Sequence, residues 1–187
     1  RDEADLTARV RLFRKREMLR ILWRGLSGAS DLCQEMAELS DLADGCLEAV
    51  LSILHDWAVA LHGTPVDEKG RPQRLVVVGM GKLGARELNL SSDIDLIFAF
   101  PSAGECRGGG RPVTSEVFFT RLCRRLIQVI GTVTPDGFVF RVDTNLRPFG
   151  ANGPLVMHFD AMESYYQIQG REWERYAWIK ARVVAGD

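Results

Sequence analysis

No apolar run in this chain reaches the roughly 18 residues that a membrane-spanning helix requires. None of its four cysteines, Cys33, Cys46, Cys106 and Cys123, belongs to a Cys-x-x-Cys pair. The first absence excludes a transmembrane helix from the reading, and the second argues against a zinc site. The chain opens Arg-Asp-Glu-Ala-Asp rather than with a basic stretch and an apolar segment, so no secretory signal is read there. A disulfide framework is not expected in a chain of 187 residues without such a signal. The expectation is a reduced, cytoplasmic protein with no membrane partner. Excess charge is missing too: 24 Lys and Arg face 25 Asp and Glu, a net charge of −1. A broad nucleic-acid surface would need a basic excess, so no nucleic-acid partner is expected, though a local anion pocket remains open. There is no initiator Met, which leads us to expect a piece of a longer chain.

What is present suits a soluble globular domain. Hydrophobic residues make up 46% and charged residues 26%, enough to bury a core without disulfides or metals for support. Leu6, Val10, Phe13, Leu19, Leu22 and Trp23 recur near the 3.6-residue period and predict an amphipathic helix over 5–24. Eight Lys and Arg against four acids in residues 1–24 read as a solvated helix face. A second helix is expected from about Asp31 to Leu61, capped by Ser30 or Asp31 and weakened or divided at Gly45. Residues 63–73 are polar and rich in breakers and read as a loop or linker. This divides the chain into a helical extension, 1–73, and a mixed core, 74–187.

Within that core, Leu75–Val78 and Ile94–Phe100 read as strands, the first short and β-branched. Gly104 and Gly108–Gly110 suggest a mobile loop over 101–112. Residues 114–130 predict a helix capped by Thr114 or Ser115. Thr134–Gly137 is a turn, and Phe138–Asp143 a third strand. Helices are expected over 159–169 and 171–184, with Trp173 and Trp178 packing and the charges of the second helix ion-paired on its surface.

The chemistry lies in LVVVGMGKLGARELNLSSDIDLIFAF, residues 75–100. Gly79-x-Gly81-x-x-Gly84 after a strand matches the dinucleotide-binding fingerprint by letter. That fingerprint needs a crossover of at least about 10–12 residues before the next strand. Only eight residues separate Gly84 from Asp93, and the acids open the second strand instead of ending it. The alternative centres on Asp93 and Asp95. Strand alternation puts these two carboxylates on one face and Ile94, Leu96, Phe98 and Phe100 on the other. Paired carboxylates repel and favour a hard cation such as Mg²⁺. Asp143, read as sharing a strand face with Val139 and Arg141, supplies a third. Three carboxylates suit two ions about 3.5–4 Å apart, as in in-line phosphoryl transfer. Gly81 and Lys82 offer close backbone approach and a positive charge to phosphate. The competing readings are two solvated acids at a strand entrance and an exposed turn lysine.

The glycine turn, Ser92-Asp93-Ile94-Asp95-Leu96 and the distant Asp143 together resemble the DNA polymerase β nucleotidyltransferase superfamily. Lys82 stands where that superfamily usually has Ser. GMGKLGARELNLSSDIDLIF, DGFVFRVDTNLRPFGANGPLV and YYQIQGREWERYAWIKAR are similar to the glutamine synthetase adenylyltransferase/adenylyl-removing family, and they cover most of residues 75–182 in order. Ala85 departs from a frequent Gly. The resemblance implies an α+β fold, a mixed sheet flanked by helices with an N-terminal helical extension. It implies catalytic, metal-binding Asp93, Asp95 and Asp143, and nucleotide or phosphate contacts from Gly81, Lys82, Ser92 and Arg147. Arg147 is equally readable as a structural loop arginine.

The cofactor implied is Mg²⁺, as two ions. The implied partners are glutamine synthetase as protein substrate, and phosphate with ADP, or ATP. The PII signal protein would act through parts of a full-length chain, because no signature for PII or glutamine is recognisable here. The variants LNLSSDID and GFVFRVD look more like the N-terminal, adenylyl-removing half, which phosphorolyses adenylyl-tyrosine to ADP. The alternatives are the half that transfers AMP from ATP, a nucleotidyltransferase with another acceptor, and a non-catalytic nucleotide-binding module.

Overall fold

The computed structural model describes residues 2–109 and 113–186. Its elements are α1 (Glu3–Leu26), α2 (Leu32–His62), β1 (Gly63–Asp67), β2 (Val76–Gly79), α3 (Gly81–Gly84), β3 (Ile94–Phe100), β4 (Gly104–Gly108), α4 (Ser115–Gly131), β5 (Val142–Asp143), β6 (Val156–His158), α5 (Phe159–Ile168), α6 (Glu172–Ala177) and β7 (Arg182–Gly186).

The long helices start where short polar side chains can satisfy their first amides. The Asp2 carboxylate caps α1 by accepting from the Asp5 amide at 2.9 Å. At α2, Asp31 accepts from the Gln34 amide while the Gln34 side chain accepts from the Asp31 amide, a capping box. Thr114 caps α4. The expected break at Gly45 does not occur: α2 runs unbroken through it, because Leu42, Ala43, Cys46 and Leu47 on either side of it are buried and hold the helix down.

The face that α1 buries also differs from the sequence reading. Val10, Arg11, Met18 and Ile21 point inward, whereas Phe13, Leu19 and Trp23 are exposed. Three of its basic residues are spent on ion pairs within the protein: Arg9 with Asp5, Arg20 with Glu17 and Glu38, and Arg24 with Glu38.

Arg11 is only 1% exposed. Its Nε donates to the Gly137 carbonyl at 2.8 Å and its Nη1 to Thr7 at 3.0 Å, and Nη2 donates to the Thr132 carbonyl. Thr132 and Gly137 bracket the turn that leads into the 138–143 segment, so this one guanidinium ties α1 to the stretch delivering Asp143. Arg11→Met keeps the bulk and removes these charge-assisted bonds. We expect a loss of about 3 kcal/mol in urea unfolding, with Arg11→Lys recovering little because an ammonium lacks the fork.

The main sheet runs in the order β5–β3–β2–β7 and is mixed. β2 pairs antiparallel with both β3 and β7. The other edge of β3 is shared by two parallel partners. β5 lies beside Ile94 and Asp95, and β6 beside Phe98–Phe100. Ile94, Leu96, Phe98 and Phe100 enter a large core with residues of α2 and α4. Ile97 and Ala99 enter a smaller one on the opposite face, with Val78, Met80 and Met162, against which Tyr166 and Trp178 pack. The fold is thus α+β, a mixed sheet flanked by helices. The large core contains residues from both sides of position 73, for example Leu47 of α2 and Val77 of β2.

Several local expectations are corrected. Residues 63–73 are not simply a linker: β1 pairs antiparallel with β4 in a separate two-stranded sheet. The same pairing makes part of 101–112 a strand; Gly110, Arg111 and Pro112 lie outside the described residues. Both strands are poor in β-formers, so pairing rather than propensity creates them. The third strand is only Val142–Asp143. Val139 is buried in the core while Arg141 is exposed, so alternation does not extend back from Asp143. The helix expected over 171–184 ends at Ala177. A 3-10 turn follows at Trp178–Lys180, and then β7, drawn into the sheet by the free edge of β2. Trp173 is 52% exposed rather than packed.

Candidate active site

The parallel register of β3 and β5 sets Asp95 directly beside Asp143. In-register residues of neighbouring strands point to the same side of a sheet, about 4.8 Å apart in the backbone. The pair therefore puts two carboxylates on the face that Ile97 and Ala99 share. Asp95 is half-buried. Its carboxyl is pushed above the usual carboxylate range, first by burial and then by the negative charges of Asp143 and Asp93, while Lys82 opposes the shift. Three of the predicted residues, Asp143, Asp93 and Lys82, thus lie near enough to bear on the charge of a fourth, Asp95.

Asp93 lies just before β3 and is exposed, and its carboxylate accepts from Arg141 Nε. Asp143 accepts from the Asn145 amide at 2.6 Å and from Asn145 Nδ2 at 3.2 Å, which folds the chain sharply after β5. With the side chains so directed, no group of three or more His, Cys, Asp or Glu among the described residues is arranged to hold a metal ion. The donor set still fits a hard divalent cation. It is all oxygen, Asp95 carries an unfavourable surplus of negative neighbours, and the third acid, Asp93, is engaged by Arg141.

Gly81 leaves room at this spot. Its φ is +52°, in the left-handed region, and a Cβ there would fall 2.7 Å from Asp95 Oδ2. The Met80 amide donates to the Asp95 carbonyl at 2.9 Å, which fixes the start of α3 against β3. Lys82 is exposed on that turn. The other glycines of the fingerprint-like run are explained by packing. A Cβ on Gly84 would meet the Lys180 carbonyl at 1.9 Å, and one on Gly79 would meet Val184 at 2.6 Å. Arg182 completes the brace. It pairs with Asp44 of α2 through two hydrogen bonds and donates to the Leu83 and Gly84 carbonyls.

The remaining predicted contacts are engaged elsewhere. The Ser92 hydroxyl donates to Asn89 Oδ1 at 2.7 Å and accepts from the Asn89 amide, closing the turn before β3. Arg147 donates to the Thr144 carbonyl and hydroxyl, both at 2.8 Å, and to the Ala151 carbonyl at 3.0 Å. Those bonds hold the loop between β5 and β6, so in this arrangement Arg147 acts as a loop clamp. Glu174 is buried and accepts from the Tyr165 hydroxyl at 2.8 Å and the Arg171 amide at 2.7 Å, and Lys180 pairs with Glu87.

Sequence reasoning missed the roles of Arg141, Asn145 and Arg182. Asn two residues after an Asp is a recognisable turn signal. Nothing local marks Arg182, whose partner Asp44 is 138 positions away.

Among known proteins, the whole chain, residues 1–187, matches the family described as glutamate-ammonia ligase adenylyltransferase. It is 59% identical over 186 residues, 99% of its length, to a bifunctional glutamine synthetase adenylyltransferase/adenylyl-removing enzyme of Nitrosococcus oceani. Proteins of the same description from Thioalkalivibrio sulfidiphilus and Pseudomonas aeruginosa are 56% and 54% identical, each over 100% of this chain. The chain spans 19% of the length of each of these relatives. With that match over its full length, the chain belongs to the glutamate-ammonia ligase adenylyltransferase family.

Proposed function

We propose that this domain removes AMP from an adenylylated tyrosine of glutamine synthetase by phosphorolysis. The observation that carries the reading is the side-by-side register of Asp95 and Asp143, with Asp93 and Lys82 close enough to act on Asp95. In the reaction, an oxygen of orthophosphate attacks the phosphorus of the tyrosyl-AMP diester. The bond from phosphorus to the tyrosyl oxygen breaks, that oxygen takes the proton released by the phosphate, and the products are tyrosine and ADP.

Two anions must meet for this to happen. Asp95, Asp143 and Asp93 would hold a divalent cation, which would supply charge neutralisation at the reacting phosphoryl group. Lys82 adds a positive charge to the same face, and Gly81 keeps the space above Asp95 clear of a side chain. The names of the relatives, which specify both adenylyl transfer and adenylyl removal on glutamine synthetase, support the substrate class. The LNLSSDID and GFVFRVD variants favour removal over transfer.

The test supplies adenylylated glutamine synthetase, Mg²⁺ and orthophosphate. ADP is expected to form in step with loss of the adenylyl group. Consumption of ATP with release of pyrophosphate, on unmodified glutamine synthetase, would instead assign the transferring half. Turnover of neither would overturn glutamine synthetase as the substrate.

A further inference from the structure

Arg141 stands two residues before Asp143 and bridges two groups at the entrance to β3, donating from Nε to the Asp93 carboxylate and from Nη2 to the Ser91 carbonyl. Two other contacts fix its position. Its own carbonyl accepts from the Ile94 amide at 2.9 Å, between Asp93 and Asp95, and its guanidinium carbon lies 6.0 Å from the centre of the Phe138 ring. The pair is nevertheless solvent-exposed, with 56% of the Arg141 and 49% of the Asp93 side chain accessible. Exposed ion pairs are weak and readily exchanged. The acid that would complete the site is thus held by an anchored but exchangeable counter-ion, while Asp95 and Asp143 already stand side by side.

We propose that Arg141 is a latch on the acidic site. Without a divalent cation it neutralises Asp93 and keeps that carboxylate on its own guanidinium; a cation at Asp95 and Asp143 takes Asp93 from it. The latch lowers affinity for the cation by the strength of the pair that must be broken. Arg141 is therefore a positioning residue acting through Asp93. The inference rests on the metal-site reading above and adds to it a competition internal to the protein.

The experiment titrates Mn²⁺ into the purified protein by calorimetry. Arg141→Ala frees Asp93 and is expected to bind Mn²⁺ about fivefold more tightly than the unsubstituted protein; Arg141→Lys, which keeps the charge but loses the fork, about twofold more tightly. Arg9→Ala is the control. It removes the same charge from the exposed Arg9–Asp5 pair on α1 and is expected to leave the affinity unchanged. In the unsubstituted protein, added Mg²⁺ should also shift the Arg141 Nε–Hε resonance, assigned by its loss in Arg141→Lys.

Equal affinities for the unsubstituted protein and both Arg141 variants, or equal tightening by Arg9→Ala, would overturn the latch while leaving the metal site standing. No Mn²⁺ binding by any of the proteins would overturn the metal site itself, and the latch with it. Should Arg141→Ala fail to fold, Arg141→Lys and the resonance shift decide the matter.

Discussion

Asp95→Asn is expected to lower phosphorolysis by about 10³-fold and yet leave the protein more stable at neutral pH. The loss of activity follows from removing the carboxylate that faces Asp143 across β3 and β5. The gain in stability follows from the direction of its titration. Asp95 is raised in the folded protein by burial and by Asp143 and Asp93, so its ionised form opposes folding. That penalty is present at neutral pH, where Asp95 is charged in both states. It fades as pH falls through the carboxylate range and is gone once the group is protonated in both. The Asn variant should therefore unfold at higher urea than the unsubstituted protein at neutral pH, and the two should converge in acid.

Added Mg²⁺ should raise the melting temperature of the unsubstituted protein and have a much smaller effect on the variant, since only a ligand bound by the folded state stabilises it. A variant that is less stable at neutral pH would show that Asp95 is held by positive partners, and would remove the physical reason for a cation here.

Gly84→Ala is expected to destabilise the fold by about 4 kcal/mol or more, lowering the melting temperature by roughly 10 °C. The methyl would stand 1.9 Å from the Lys180 carbonyl oxygen and 2.5 Å from that of Gly79. Both are backbone atoms, so no rotamer relieves the clash, and β2, α3 and the Trp178–Lys180 turn must separate. Gly45→Ala is the matched comparison. Nothing lies within 4 Å of a Cβ there. Alanine in mid-α2 should stabilise by up to about 1 kcal/mol through helix propensity alone. Urea unfolding of the two variants should therefore shift in opposite directions. Because α3 carries Gly81 and Lys82, Gly84→Ala should also reduce activity well below the loss of folded protein.

The same glycines show how far the chain could be read before it was folded. Gly79, Gly81 and Gly84 form one motif by letter, yet they have different reasons to be glycine. Gly81 needs positive φ and space beside Asp95, while Gly79 and Gly84 need only space against residues about 100 positions later. Spacing shows that glycine is required; only the packing partner shows why.

Elements whose identity rests on local physics were legible. α4 announces itself by its Thr114 cap and apolar stripe, β3 by its short apolar run bounded by polar residues, and Asp93 and Asp95 by their place at the start of β3. β1, β4 and β7 were not, because GTPVD, GECRG and RVVAG become strands through partners supplied by distant residues. The segment 138–143 was half legible: it ends in strand beside β3, but Val139 is drawn into the core and Arg141 toward Asp93, so alternation stops short.

The sequence by itself determined that two carboxylates share the start of a strand next to a glycine turn, and that a third lies in a distant extended segment. These are consequences of the two-residue period of strands and of the charge repulsion between acids. Only the tertiary structure decided that Asp143 registers with Asp95, that Arg141 occupies Asp93, and that Arg147 holds its own loop. Those outcomes depend on which groups three-dimensional packing brings within hydrogen-bond reach, and in the first two cases the partners lie 48 positions apart along the chain.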